Sequence, residues 1–293
     1  MDVLNPSPAL CLPQAMWIVY RVVMAKPDLT QDGILDLVTP ISMRSNSPGN
    51  GAHAKRALAG LREFELVNED INGLYRVEAD EVSDAYGFLR ILRRRLIVPP
   101  ESISTGFRGA PDLRSALVWL MRQPPMVPLH YAVNVQTDMP EGLFTNDTRW
   151  NGFRWWSREL GFGQEMLSNL YPGKESNSSI IPDPTVAVID AITHPFGDPL
   201  PRGEHIPIAS LMEFLRSELP VLAEHPSALH PGLEQSGEPA IAALALALSS
   251  AEQQQVLTMG YQSDPSDVLA LPDAQNFRTD RYVSHVTLRS NDR

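Results

Sequence analysis

One cysteine, Cys11, in 293 residues leaves no partner for an internal disulfide and no thiol set for a zinc site. No apolar run approaches the roughly 18 to 20 residues that a membrane-spanning helix needs, so no membrane contact is expected. The opening Met1-Asp-Val-Leu-Asn5 has no basic residue, and the apolar stretch Cys11 to Val23 is broken by Pro13, Gln14 and Arg21. No signal peptide is expected, and a cytoplasmic location follows. Signatures of chemistry are missing too: no nucleophile elbow, Walker A loop, dinucleotide fingerprint, metalloprotease helix or nuclease-like Asp/Glu-x-Lys core is present. Pro172-Gly173-Lys174 lacks the glycine spacing of a phosphate loop. His225 and His230 stand without carboxylates or thiols at ligand spacing, and Asp183 with Asp190, or Asp264 with Asp267, read more simply as cap and turn residues. The expectation is a protein that is not an enzyme and takes no cofactor and no metal.

Positive charge is also scarce, with 24 Lys and Arg against 35 Asp and Glu, a net charge of −11. The deficit is uneven. Residues 1–100 hold 11 basic and 12 acidic side chains, whereas residues 101–293 hold 13 and 23, so only the first third can approach a phosphate backbone without long-range repulsion. The length suits two or three small domains.

What is present is a repeated local plan. Pro13 suits the start of a helix whose apolar face is Trp17, Val19, Tyr20, Val23 and Met24, and Lys26-Pro27 ends it. Thr30 is an N-cap for a helix Gln31 to Val38, with Asp32 in its first turn and Pro40 beyond its end. Ser45 to Gly51 is a turn. A third helix follows, with Ala54, Ala57, Leu58, Leu61 and Phe64 inward and His53, Lys55, Arg56, Ala59, Arg62 and Glu63 outward. Alternation from Leu66 leads into Asn72-Gly73, a hairpin turn, and a strand Leu74 to Val77. Helix, helix, β-hairpin is the order of a winged helix. Such a helix can enter a major groove with His53 at its entering end and Lys55, Arg56 and Arg62 near phosphates or base edges. Glu63, Glu65, Glu69 and Asp70 make the wing acidic, which suits a protein partner instead. A further helix, Ser83 to Val98, clusters Arg90, Arg93, Arg94 and Arg95, able to clamp phosphate or to dock an acidic surface. Pro99 to Gly109 reads as a linker.

In the second segment Asp112 is an N-cap for Leu113 to Arg122, and Leu129 to Val135 fits a short helix or a strand. A tryptophan-rich helix within Asn146 to Phe162 has Trp150, Phe153, Ser157 and Leu160 on one face, Trp156 flanking it, and Arg154 and Arg158 opposite; Gly161 terminates it. A strand at Gly163 to Leu167, a loop containing Lys174 and a return strand at Ile180-Ile181 complete a second winged-helix pattern. Arg149, Arg154, Arg158 and Lys174 are its candidate nucleic-acid contacts, or merely a solvated helix exterior around a tryptophan core. In the third segment a helix follows Pro182-Asp-Pro-Thr185, an amphipathic helix spans Ile208 to Leu219, and Glu238 to Leu248 is a buried helix of Ala, Leu and Ile. Ser249 to Glu252 matches a capping box for a helix Gln253 to Met259, and strands are expected at Asp267 to Leu271 and Tyr282 to Leu288. This weaker third copy puts no basic residue on its recognition helix. The fold class is therefore mainly α with short β-hairpins, as tandem winged-helix modules over residues 1–100, 110–182 and 183–293.

The layout resembles the DpdG-like proteins, accessory members of bacterial gene clusters that install or police 7-deazaguanine bases in DNA. The resemblance rests on Asn5-Pro-Ser-Pro before a helix, on Leu66-Val67 to Tyr75-Arg-Val77, on Phe153-Arg-Trp-Trp-Ser-Arg-Glu-Leu-Gly161, on Pro182-Asp-Pro-Thr185, and on Asp267-Val-Leu-Ala-Leu with Val283-Ser-His-Val286. It implies a non-catalytic partner of helicase, ATPase or nuclease subunits in a phage-defence or DNA-modification system, and supplies no active-site residue. Two functional classes stay open: an adaptor contacting double-stranded DNA while recruiting enzymes through its acidic remainder, and a pure protein-assembly scaffold. A winged-helix transcriptional regulator is a third, less favoured for want of a long dimerisation helix. The sequence sets no oligomeric state.

Overall fold

The computed structural model describes residues 1–5, 10–41, 51–78, 82, 84–98, 108–140, 142–166, 179–228, 239–265, 267–272 and 279–289. The fold is mainly helical, with small antiparallel sheets of two or three strands. Two compact units are present, Met1–Arg114 with Gly142–Glu159, and Ser115–Glu141 with Leu160–Arg293, so the segment 110–182 contributes to both. No helix among the described residues is long and apolar enough to cross a membrane.

The first unit begins with α1 (Pro13–Ala25), which buries Met16, Val19, Tyr20 and Val23 at helical spacing. Trp17 is only half-buried and Met24 is 41% exposed, so the inward face is rotated toward Met16 relative to the expected one. Strand β1 (Leu29–Thr30) comes next, and the Thr30 hydroxyl oxygen accepts from the Gly33 amide at 3.2 Å, capping α2 (Gln31–Val38). Helix α3 (Ala52–Glu63) buries Ala57, Leu58, Gly60 and Leu61. Gly60 packs closely there, since a Cβ would stand 3.3 Å from the Cys11 sulfur and 3.4 Å from the Met16 methyl carbon.

Strands β2 (Val67–Glu69) and β3 (Leu74–Val77) form the hairpin, in the sheet order β1-β3-β2. The turn is not a two-residue Asn-Gly turn. Asp70 and Leu74 pair, leaving Ile71, Asn72 and Gly73 as a three-residue loop; Asp70 Oδ1 accepts from the Asn72 and Leu74 amides at 2.8 and 3.0 Å, and Gly73 takes φ +74. Asp84 then caps α4 (Ala85–Leu96), accepting from the Gly87 amide at 2.8 Å.

The same order recurs. Helix α5 (Pro111–Leu120) starts two residues before the expected Leu113, and Asp112 acts less as a cap than as an anchor, its carboxylate accepting from Val3, Leu4 and Leu113 amides. The undecided stretch 129–135 is both things: β4 (Leu129–His130) runs into a π-helical turn, Tyr131–Val135. Asn146 caps α6 (Asp147–Glu159) through the Arg149 amide at 2.9 Å, and β5 (Gly163–Glu165) and β6 (Ser179–Pro182) follow, in the order β4-β6-β5.

The third passage runs α7 (Thr185–Thr193), β7 (His205–Pro207), α8 (Ile208–Glu218), α9 (Pro239–Gln253), β8 (Leu257–Gly260) and β11 (His285–Leu288), in the order β7-β11-β8. An extra hairpin, β9 (Leu269–Pro272) with β10 (Asp280–Val283), is inserted before β11. In each three-stranded sheet of the described residues the last strand lies between the other two.

Two expectations fail in this third passage. Ser249 to Glu252 is no capping box, because α9 continues unbroken through it with Ala251 fully buried. The expected helix Gln253 to Met259 is a turn, with Gln255 at φ +60, and then β8, whose alternating burial is that of a strand. The expected strand Tyr282 to Leu288 is broken at Ser284, where the chain leaves β9 and enters the larger sheet; the Ser284 oxygen accepts from the Gln262 amide at 3.0 Å and its carbonyl from the Ile208 amide at 2.9 Å.

Glu252 has a different task. The Met259 amide donates to Glu252 Oε1 at 2.8 Å, Arg281 donates to the Met259 carbonyl at 3.0 Å, and Arg281 is ion-paired with Glu252 through both guanidinium nitrogens. The outward backbone groups of Met259 in edge strand β8 are thereby closed to another strand. Burial alone would raise the Glu252 carboxyl, but the bonds from Arg281 and the Met259 amide outweigh it and hold it below the usual range. Stability from this clasp is therefore complete above the ordinary glutamate value of about 4.3 and is lost as pH falls through the lower folded value. Glu252→Gln is expected to destabilise this unit by about 1–2 kcal/mol at neutral pH, with the difference from the parent vanishing in strong acid; chemical denaturation across pH checks it.

Candidate nucleic-acid interface

The outward residues of α3 are where the sequence reading places them, but most are already engaged. His53 is exposed and its Nδ1 lies 2.9 Å from the Leu10 carbonyl, to which it donates. Lys55 is exposed. Arg56 is half-buried and donates to the Asp2 carbonyl at 2.8 Å. Arg62 forms an ion pair with Glu69 of the hairpin at 2.7 Å, its guanidinium carbon 5.9 Å from the Tyr75 ring centre. Burial and the neighbouring Glu69 together push the Tyr75 phenol upward. The hairpin is thus tied to α3 by a cation, a carboxylate and a buried ring. Arg76 of β3 is likewise paired, with Asp28.

The arginine cluster of α4 is dispersed around its helix. Arg93 is buried at 6% exposure, Arg94 is exposed, Arg90 and Arg95 are half-buried, and Arg95 pairs with Glu65 at 3.0 Å. All four have partners within the chain. On α6, Trp150, Phe153 and Trp156 are buried, and Phe144 joins them with ring centres 5.3 Å from Trp150 and 5.0 Å from Phe153. Arg149 and Arg154 are half-buried, and Arg158 pairs with its neighbour Glu159 at 2.7 Å. Lys174 lies outside the described residues, as do Ser45 to Asn50, His230 and most of the loop after β5.

The corresponding third helix of the last passage, α9, carries no Lys or Arg and buries Ala243, Leu244, Ala245, Ala247, Leu248 and Ala251. It packs against α7, β8 and β9. Among the described residues no three His, Cys, Asp or Glu side chains gather as a metal site. A cavity of about 170 Å³ beside His53, lined by Ala15, Ile18, Val19, Val38 and Ala54, is nearly all apolar.

One cluster carried no sequence signal: His205 and His285 stack across β7 and β11, ring centres 4.3 Å apart. Desolvation and the neighbouring His205 lower the His285 imidazole. Eighty residues separate the two, and only the pairing of β7 with β11 brings them together.

No curated protein and no solved structure matches the chain. The family model described as DpdG-like matches residues 1–265, which associates the chain with DNA-modification gene clusters. With nine-tenths of its length matched, the chain belongs to the DpdG-like family.

Proposed function

We propose that the chain is a non-catalytic assembly adaptor of a bacterial DNA-modification or phage-defence system, built from tandem winged-helix modules whose main contacts are with protein. The three-fold recurrence of helix, strand, helix, helix, strand, strand, with the last strand central, supports winged helices. The observation that carries the protein-contact reading is the Arg62–Glu69 ion pair. A phosphate reaching Arg62 must displace a carboxylate that already holds it, exchanging one anion for another with little net gain, and Arg95 with Glu65 repeats the arrangement. The predominant burial of α9 and its lack of any Lys or Arg support the same reading for the third helix. Helicase, ATPase or nuclease subunits are the expected partners.

Duplex contact through α3 is the second reading, favoured by exposed His53 and Lys55 and by the near-neutral balance of residues 1–100. Duplex binding measured at about 50 and 200 mM salt separates the two. The adaptor reading expects a salt slope no steeper than about −2, one or two phosphates, and less than about a twofold loss in Arg62→Ala. Tight binding with a steep slope that Lys55→Ala and Arg62→Ala both flatten favours DNA contact and overturns it.

A further inference from the structure

Resting on that reading, we propose that the outer face of the β9–β10 hairpin is the docking surface for a basic, extended segment of a partner protein. The register pairs Tyr282 with Ala270, Asp280 with Pro272, and Val283 with Leu269. Side chains alternate across a strand, and directly opposite residues share a face, so Leu271 and Val283 point one way and Tyr282, Ala270, Pro272 and Asp280 the other. Leu271 and Val283 are buried at 1% and 0% exposure, on the side where β9 packs against α9. The opposite face is largely open among the described residues: Tyr282 is 59% exposed, Ala270 is exposed, Pro272 is half-buried, and Val268, two residues before Ala270, is 45% exposed.

Charge identifies the occupant. Residues 183–293 hold 6 Lys and Arg against 15 Asp and Glu, a net of −9 out of −11 for the whole chain. Asp280 stands on this face, exposed Asp267 precedes Val268 in the chain and exposed Asp264 lies four residues before it; none of the three meets a cation among the described residues, while Arg281 is turned to the other face and held by Glu252. An apolar strip with an aromatic anchor, accompanied by unpaired carboxylates, complements a segment that alternates Lys or Arg with apolar side chains. The same field repels nucleic acid.

Hydrogen exchange of the full chain, free and in its native complex, tests this. Slowing of the amides of residues 267–272 and 279–283 by about tenfold or more on complex formation is expected. Tyr282→Ser, and separately Asp264→Asn with Asp267→Asn and Asp280→Asn, should each weaken partner binding by about tenfold, with the melting temperature unchanged because these side chains are exposed. Raised salt should weaken the parent complex but not the triple Asn variant. A partner that binds with no slowing at the hairpin and no effect of either variant overturns this inference and leaves the adaptor reading standing. Absence of any protein partner overturns both, and slowing of the hairpin by duplex DNA replaces the basic segment with nucleic acid.

Discussion

An arginine placed at Ala247 is expected to unfold the C-terminal module, whereas an arginine placed at Ala59 is expected to leave the protein folded. Both alanines sit on the third helix of their passage, so the comparison asks whether those helices play the same part. Ala59 is on the exposed side of α3, one turn from Lys55 and Arg62. Surface changes of this kind stay within about 0.5 kcal/mol. Ala247 is fully buried in α9, in a run where Leu244, Ala245, Leu248 and Ala251 are buried as well. A guanidinium there must displace packed neighbours, at about 1–3 kcal/mol, and leave water without a carboxylate to meet it, at several kcal/mol more. A total of about 4 kcal/mol or more is a large part of the 5–15 kcal/mol that holds a typical domain together. Thermal melts followed by circular dichroism read the difference, with Ala247→Arg losing its transition or melting at least about 10 °C lower. An Ala247→Arg protein that stays folded and gains duplex affinity would return α9 to the class of groove readers.

That contrast bears on function because the passages share a plan while differing in what they expose. The first offers a helix whose Arg62 is held by its own hairpin and whose Arg56 is held by the Asp2 carbonyl. The last offers a third helix, α9, with no Lys or Arg and most of its apolar residues buried, and adds an extra hairpin that packs on α9 and presents a new face of its own. A protein built to read DNA through several winged helices would keep those helices open and basic. The last passage departs from that pattern, with a largely buried third helix and an acidic surface, and this is the arrangement that the proposed protein-contact reading expects.

Much of this fold is legible locally. The Thr30 cap and the Leu74–Val77 strand follow from residues within a few positions of one another, since caps, turns and helical spacing are short-range effects. The strands β1, β4 and β7 are not legible. Two or three residues are too few to show alternation, and each exists only because a distant strand pairs with it, as Leu29 does with Tyr75. Glu252 shows a different failure. Ser249-x-x-Glu252 has the form of a helix start, but the same letters at the end of an alanine-rich helix serve its exit, and only the positions of Met259 and Arg281 distinguish the two. For the candidate interface, the outward direction of Lys55 and Arg62 could be read from periodicity. The holding of Arg62 by Glu69 could not, because it depends on how far the hairpin folds back over α3. Arg93 was invisible for a related reason: four arginines in six residues must spread around a helix, and one of them reaches the buried side.

Trp156→Ala is expected to cost about 4 kcal/mol and to expose Cys11. The indole is fully buried in α6, the helix that packs against α1 in the first unit. Its Nε1 donates to the Cys11 carbonyl at 2.9 Å, fastening the segment just before α1. Truncation leaves a cavity that a close-packed core fills poorly, typically at about 3–5 kcal/mol for a tryptophan, and strands the Cys11 carbonyl in a buried site. Trp156→Phe keeps most of the apolar volume and removes the donor, so a smaller loss of about 1–2 kcal/mol is expected. The thiol gives an independent reading. Burial pushes the Cys11 sulfur up to about 12, so in the native protein almost no thiolate forms at pH 8 and labelling waits on opening of the core. When opening and closing are fast relative to labelling, the rate follows the open population. Through RT, 4 kcal/mol then corresponds to an acceleration of about a thousandfold in Trp156→Ala, and the phenylalanine variant should label about ten times faster than the parent. Equal labelling of parent and alanine variant would mean that α6 does not cover Cys11 in solution.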